Sequence, residues 1–127
     1  MSDVSGGATP AARPIGPYSP VVRAGGLLFV SGQLGLVDGE LVAGGVREQL
    51  AAALANLLSV LATAGATLRD VVKCTVFLVD MADFEAMNEV YLAAFGDHRP
   101  ARSAVAVAAL PRGASVEIEA IAHLEVP

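Results

Sequence analysis

Cysteine is nearly missing from this 127-residue chain: Cys74 stands alone, which excludes an intrachain disulfide and any cysteine-rich metal site. Histidine is almost as scarce. His98 and His123 are isolated, and neither has the partners a metal ligand needs. Charged residues make up only 17% of the chain, with 8 Lys and Arg against 13 Asp and Glu, for a net charge of −5. An acidic chain of this kind has no electrostatic footprint for a phosphate backbone, so nucleic acid is not expected as a partner, and any anionic ligand needs a local arginine. No run approaches the roughly 18 uninterrupted apolar residues of a spanning helix, and no basic segment leads into an apolar one near residue 1. The expectation is a soluble, cytoplasmic protein with no membrane partner. A phosphate-cradling Gly-rich loop, HExxH and GxSxG are also missing. What the chain has in quantity is apolar side chains, 54% of residues, enough to exclude disorder and to build the core of one domain.

The arrangement of those apolar residues is informative. Residues 1–13 are small and rich in Gly, Pro and Ser, and read as a flexible tail ahead of a single domain over 14–127. Pro17 and Pro20 bracket Tyr18 and favour extended backbone there. Residues 27–31 read as a buried strand running into Ser31-Gly32-Gln33, which is either a plain turn or a place where a glycine lets a ligand approach the main chain. Asp38-Gly39 marks a tight turn. From 46 to 64 the period changes to helical, with Val46, Leu50, Leu54, Leu57, Leu61 and Ala64 on one stripe and Gly65 as the stop. Residues 71–79 are a β-branched run containing Cys74, read as core rather than as a nucleophile. A second helix follows over 80–96, capped by Asp80 or Asp83, with Phe84, Met87, Tyr91, Leu92 and Phe95 as its apolar stripe and Asn88 beside it.

The last quarter carries two alternating runs around a break at Pro111-Arg112-Gly113, the pattern of a β-hairpin. In the second run Val116, Ile118, Ala120, Ala122 and Leu124 share one face, and Ser115, Glu117, Glu119, Ile121 and His123 the other. Sorting the first run by side-chain size puts Val105 and Val107 under the helices, and so puts Arg102 on the same sheet face as Glu117 and Glu119. In such a hairpin Arg102 lies opposite His123 and Glu117 opposite Ala108, roughly 20 Å apart at about 3.3 Å per residue. The predicted fold is α+β: a two-layer sandwich of a mixed β-sheet with two helices on one face. The second sheet face, bearing Ile121 and several alanines, has no helix left to cover it.

Five blocks in order, Ile15-Gly-Pro-Tyr18, Ser31-Gly-Gln33, the 72–80 strand with Asp83-Phe84 and Asn88, Pro100-Ala-Arg-Ser103 and Val116-Glu-Ile-Glu-Ala-Ile-Ala122, resemble the Rid (YjgF) family of imine deaminases. The resemblance implies a chorismate-mutase-like subunit, a homotrimer with active sites in the clefts between subunits, and no cofactor. It also implies hydrolysis of 2-imino acids such as 2-iminopropanoate and 2-iminobutanoate to 2-keto acids and ammonia. The family's carboxylate-binding arginine falls on Arg102 and its water-orienting glutamate on Glu117, with Tyr18, Ser31, Gly32 and Asn88 as substrate-binding positions. Two departures stand out. Ala104 replaces the cysteine common two residues after the arginine, so only its backbone N–H is available there, and Pro20 stands where glutamine is frequent. A trimer that binds a small carboxylate without turning it over, or a pathway deaminase for an aminoacrylate or aminomuconate, is the alternative.

Overall fold

Alternation builds the sheet and the 3.6-residue period builds the layer above it. The computed structural model describes residues 14–125; the expected tail at 1–13 lies outside the described residues. In chain order the elements are β1 (Val21–Ala24), β2 (Leu27–Gln33), β3 (Leu36–Val37), β4 (Glu40–Leu41), α1 (Val46–Thr63), β5 (Val71–Leu78), α2 (Phe84–Phe95), β6 (Ala101–Ala106) and β7 (Val116–His123). Five strands form one sheet in the order β1-β2-β7-β5-β6, with β5 and β6 parallel and every other neighbour antiparallel. Both helices lie on one face, so the expected two-layer α+β sandwich with a mixed sheet is what the chain forms. None of the described helices is long and apolar enough to cross a membrane.

Local chemistry sets the helix ends. The Glu48 carboxylate accepts the Gly45 N–H at 2.9 Å at the start of α1, and Gly65, at φ 81°, takes the left-handed turn that ends it. Asp80 accepts the Ala82 N–H at 2.9 Å in the turn leading into α2, and Gly96, at φ 62°, stops that helix. Leu50, Leu57 and Leu61 of α1 and Met87 of α2 are fully buried over Val116, Ile118 and Ala122 of β7 and Val76 and Leu78 of β5. Leu92, expected on the buried stripe, is exposed instead. Asp38-Gly39 forms the foreseen turn, with both residues at positive φ, and closes the small β3–β4 hairpin.

The C-terminal hairpin does not form. β5 lies between β6 and β7, and β6 pairs with β5 alone, in parallel, with Arg102 opposite Cys74, Ala104 opposite Val76 and Ala106 opposite Leu78. Those β5 residues are completely buried, so the even positions of β6 face the helices and Val105 faces outward, 42% exposed. This reverses the predicted parity. Residue size misled, because the parallel register with Cys74, Val76 and Leu78 decides which β6 positions face inward, whatever their volume. The break at 110–114 joins a satellite cluster instead, with Leu110 and Ala114 against Leu34, Leu36 and Leu41, and the Arg112 guanidinium donates to the Gly39 carbonyl.

Candidate functional site

β2 and β7 keep regular register from Leu27 opposite His123 to Val30 opposite Ala120, but Gln33 then meets Ile118, so β2 uses one extra residue. The resulting bulge falls at Ser31-Gly32 and turns the end of the strand out of the ladder. Gly32 is needed there for space. A Cβ at Gly32 would run into Oε2 of Glu117, with the carboxyl carbon only 2.8 Å away. The carboxyl group of Glu117 therefore rests on bare backbone. It is half-buried, and burial, with the Glu119 carboxylate on the same face as a second cause, raises its pKa above the usual range.

The loop before β1 closes over this seat. The Ser31 hydroxyl donates to the Ser19 carbonyl at 2.7 Å, and the Ser31 N–H donates to the Pro20 carbonyl at 3.0 Å. Residues 15–18 bend rather than extend: the Tyr18 N–H donates to the Gly16 carbonyl at 2.9 Å, and the ring folds back over Gly16. Proline-restricted φ favours this bend as readily as an extended chain. Tyr18 stays 45% exposed. An open cleft of about 280 Å³ results, lined by Ile15, Tyr18, Ser31, Gly32, Leu34, Pro111 and Glu117. The Asn56 amide steadies one wall by donating to the Leu34 and Leu36 carbonyls, each at 2.9 Å. On sequence Asn56 reads as one of several polar helix residues, and nothing in its spacing marks this role.

Four predicted residues, Tyr18, Ser31, Gly32 and Glu117, are thus brought together, and three are not. Arg102 is half-buried on the opposite, helix-facing side of the sheet. Its guanidinium lies 4.7 Å from the centre of the Tyr91 ring and 5.7 Å from that of Phe84, and Nη1 approaches Met87 Sδ at 3.6 Å. Ala104 is two residues further along β6, and Asn88 is a part-buried residue of α2 one turn after Phe84. Arg102 is level with Cys74 and Ala120, so Glu117 is three positions along and two strands across. That separates the two Cα atoms by roughly 14 Å at standard strand spacings. The hairpin register predicted about 20 Å on one shared face. The observed separation is shorter and crosses the sheet.

Other polar groups have structural work. His98 Nε2 meets the Val71 carbonyl at 2.8 Å, and the buried Gln49 side chain accepts the Ser115 N–H at 2.7 Å. Cys74 is fully buried, which pushes its thiol pKa up and makes it inert. Among the described residues no three His, Cys, Asp or Glu side chains cluster as a metal site.

Comparison with known proteins agrees across almost the whole chain. The model of the family described as Endoribonuclease L-PSP matches residues 9–124. A RutC family protein of Pyrococcus horikoshii is 48% identical over 117 residues, covering 91% of this chain and 93% of the relative. The 2-iminobutanoate/2-iminopropanoate deaminase of Mus musculus is 51% identical over 116 residues, covering 90% and 86%. The crystal structure of RidA from the Antarctic bacterium Psychrobacter sp. PAMC 21119 superposes with a TM-score of 0.85 at 42% identity, covering 92% of this chain and 94% of that one.

Proposed function

We propose, since the chain belongs to the Rid (YjgF) family, that it is an enzyme hydrolysing 2-imino acids, such as 2-iminobutanoate and 2-iminopropanoate, to 2-keto acids and ammonia. The observation that carries the chemistry is the seating of Glu117: a half-buried carboxyl group pressed against Gly32 in an open cleft, with its pKa raised. Water must add to the carbon of the C=N bond, both of its protons must reach the nitrogen, and ammonia must leave as the carbonyl forms. Glu117 takes one proton from the attacking water as a carboxylate and returns it to the nitrogen as an acid, and it then carries the remaining hydroxyl proton to the departing amine in the same way. A pKa raised by burial makes the protonated form easier to reach than in an exposed carboxyl group. One such group suffices, because free imines already hydrolyse in water and the site has mainly to position the reactants.

Arg102 is the counterpart for the substrate carboxylate, since its planar fork pairs with two carboxylate oxygens at once. Tyr18, Ser31, Gly32, Asn88 and the backbone N–H of Ala104 complete the substrate contacts in this reading. Because Arg102 and Glu117 lie on opposite faces of one sheet, a small imino acid reaches both only where two chains meet. We therefore place the site between subunits of a homotrimer. The bare sheet face supports association: Val22 is 53% exposed, Phe29 and Val105 are 42% exposed, and Phe77 and Ile121 lie on the same face. The lone buried thiol fits a reducing compartment, and we propose the cytoplasm. The test is release of ammonia and keto acid from imines generated in situ by an amino-acid oxidase. Acceleration at micromolar protein supports the reading, and rates equal to the protein-free control contradict it.

A further inference from the structure

A half-buried arginine ordinarily sits beside a carboxylate. Arg102 does not: the two ion pairs among the described residues are Arg47 with Glu89 and Arg69 with Asp97. Its surroundings are the rings of Tyr91 and Phe84 and the sulfur of Met87, all from one face of α2. Aromatic faces attract a guanidinium through its π surface and partly offset its lost hydration. Such a contact leaves in-plane N–H groups for a ligand, whereas an acidic neighbour would occupy them. The Tyr91 hydroxyl is not what earns the residue its place. It is buried with no hydrogen bond of normal geometry, its polar neighbour being the Cys74 thiol, while the ring is the part that meets Arg102.

From this packing we infer that Tyr91, assisted by Phe84, is a positioning residue: its ring holds the Arg102 guanidinium aimed at the substrate carboxylate while leaving the fork without a carboxylate partner. The inference rests on the reading that Arg102 binds that carboxylate. Loss of the ring then weakens carboxylate binding and leaves the hydrolytic step at Glu117 nearly untouched, which separates KM from kcat.

The experiment compares Tyr91→Leu, Tyr91→Phe, Phe84→Leu and Arg102→Ala for kcat, KM and the calorimetric Kd of 2-ketobutanoate, a carboxylate that cannot be deaminated. Tyr91→Leu is expected to raise KM and Kd by about fivefold to tenfold with kcat within about twofold, the range of a partly desolvated cation–π contact. Tyr91→Phe keeps the ring and is expected to stay within about twofold on all three measures. A folded Tyr91→Leu protein with unchanged Kd, or a Tyr91→Phe protein weakened as much as Tyr91→Leu, overturns the inference. Should Tyr91→Leu fail to fold, Phe84→Leu at the surface end of the cluster decides, with KM and Kd up about twofold to threefold expected and no change contradictory. Arg102→Ala separates the two levels. If it abolishes 2-ketobutanoate binding while the ring variants do nothing, only the role of the rings falls; if it binds normally, the reading of Arg102 falls with it.

Discussion

The two halves of the proposed site hold their key side chains by opposite means. Glu117 is fixed by close approach to bare backbone, where a strand bulge and the missing side chain of Gly32 make room for its carboxyl group. Arg102 is held by side-chain faces, with two rings and a thioether of α2 beneath its guanidinium. The first arrangement desolvates a carboxyl group and favours its protonated form. The second shelters a permanent cation while leaving its donors available. A group that must change protonation state gains from burial, and a group that must grip gains from being held without a counter-ion. The two also face opposite sides of the sheet, so neither half is a complete site.

That contrast predicts different kinetic signatures. Glu117→Gln should have the largest effect, lowering kcat by about 10²- to 10⁴-fold with little change in KM. A rise in KM alone would give Glu117 a binding role instead. Gly32→Ala should act through the same carboxyl group, which the new methyl displaces, lowering kcat by about 10²-fold, the usual result of misplacing a catalytic group by about 1 Å. Normal turnover in a folded Gly32→Ala protein would show that the seat does not matter. Arg102→Lys should fall on the other side of the contrast, raising KM by about tenfold or more as a point charge replaces a two-pronged fork. An unchanged KM would return Arg102 to a structural role. The smallest effect concerns stability. Glu117 keeps its proton to higher pH in the folded chain than in the unfolded one, so folding is opposed increasingly as pH rises above the unfolded value, and fully above the folded value. Glu117→Gln removes that opposition, so its Tm should exceed that of the wild type at pH 7, with the gain disappearing below about pH 4. A Tm gain largest at acid pH would contradict the direction of the shift.

Much of this was legible from the residues alone, and the failure with the widest consequence was a single one. The 46–64 stripe and the 116–124 alternation identified α1 and both faces of β7, because each pattern reports burial against a single neighbouring layer. The failure was the partner of β6. A Pro/Gly break between two alternating runs looks the same whether the runs pair with each other or with a strand 30 residues earlier. Sorting residues 102–107 by volume then placed Val105 inside and Arg102 on the wrong face. The correct parity depends on Cys74, Val76 and Leu78 of β5, which is long-range information. At the site, Ser31-Gly32 and Glu117 were legible as separate blocks, but their contact depends on one extra residue in β2, and a bulge leaves no period to read. The rings around Arg102 were legible only as a core stripe.

The proposed division of the site between chains is tested most directly by mixing two dead proteins. Arg102→Ala and Glu117→Ala subunits, each inactive alone, are denatured together in equal amounts and refolded, and deaminase activity is measured. In a cyclic trimer whose sites take Arg102 from one chain and Glu117 from the next, random assembly gives both intact residues to about one site in four. The account predicts recovery of about a quarter of wild-type activity. No recovery, with mixed trimers demonstrated by native mass spectrometry, would contradict it and place both residues in one subunit's site.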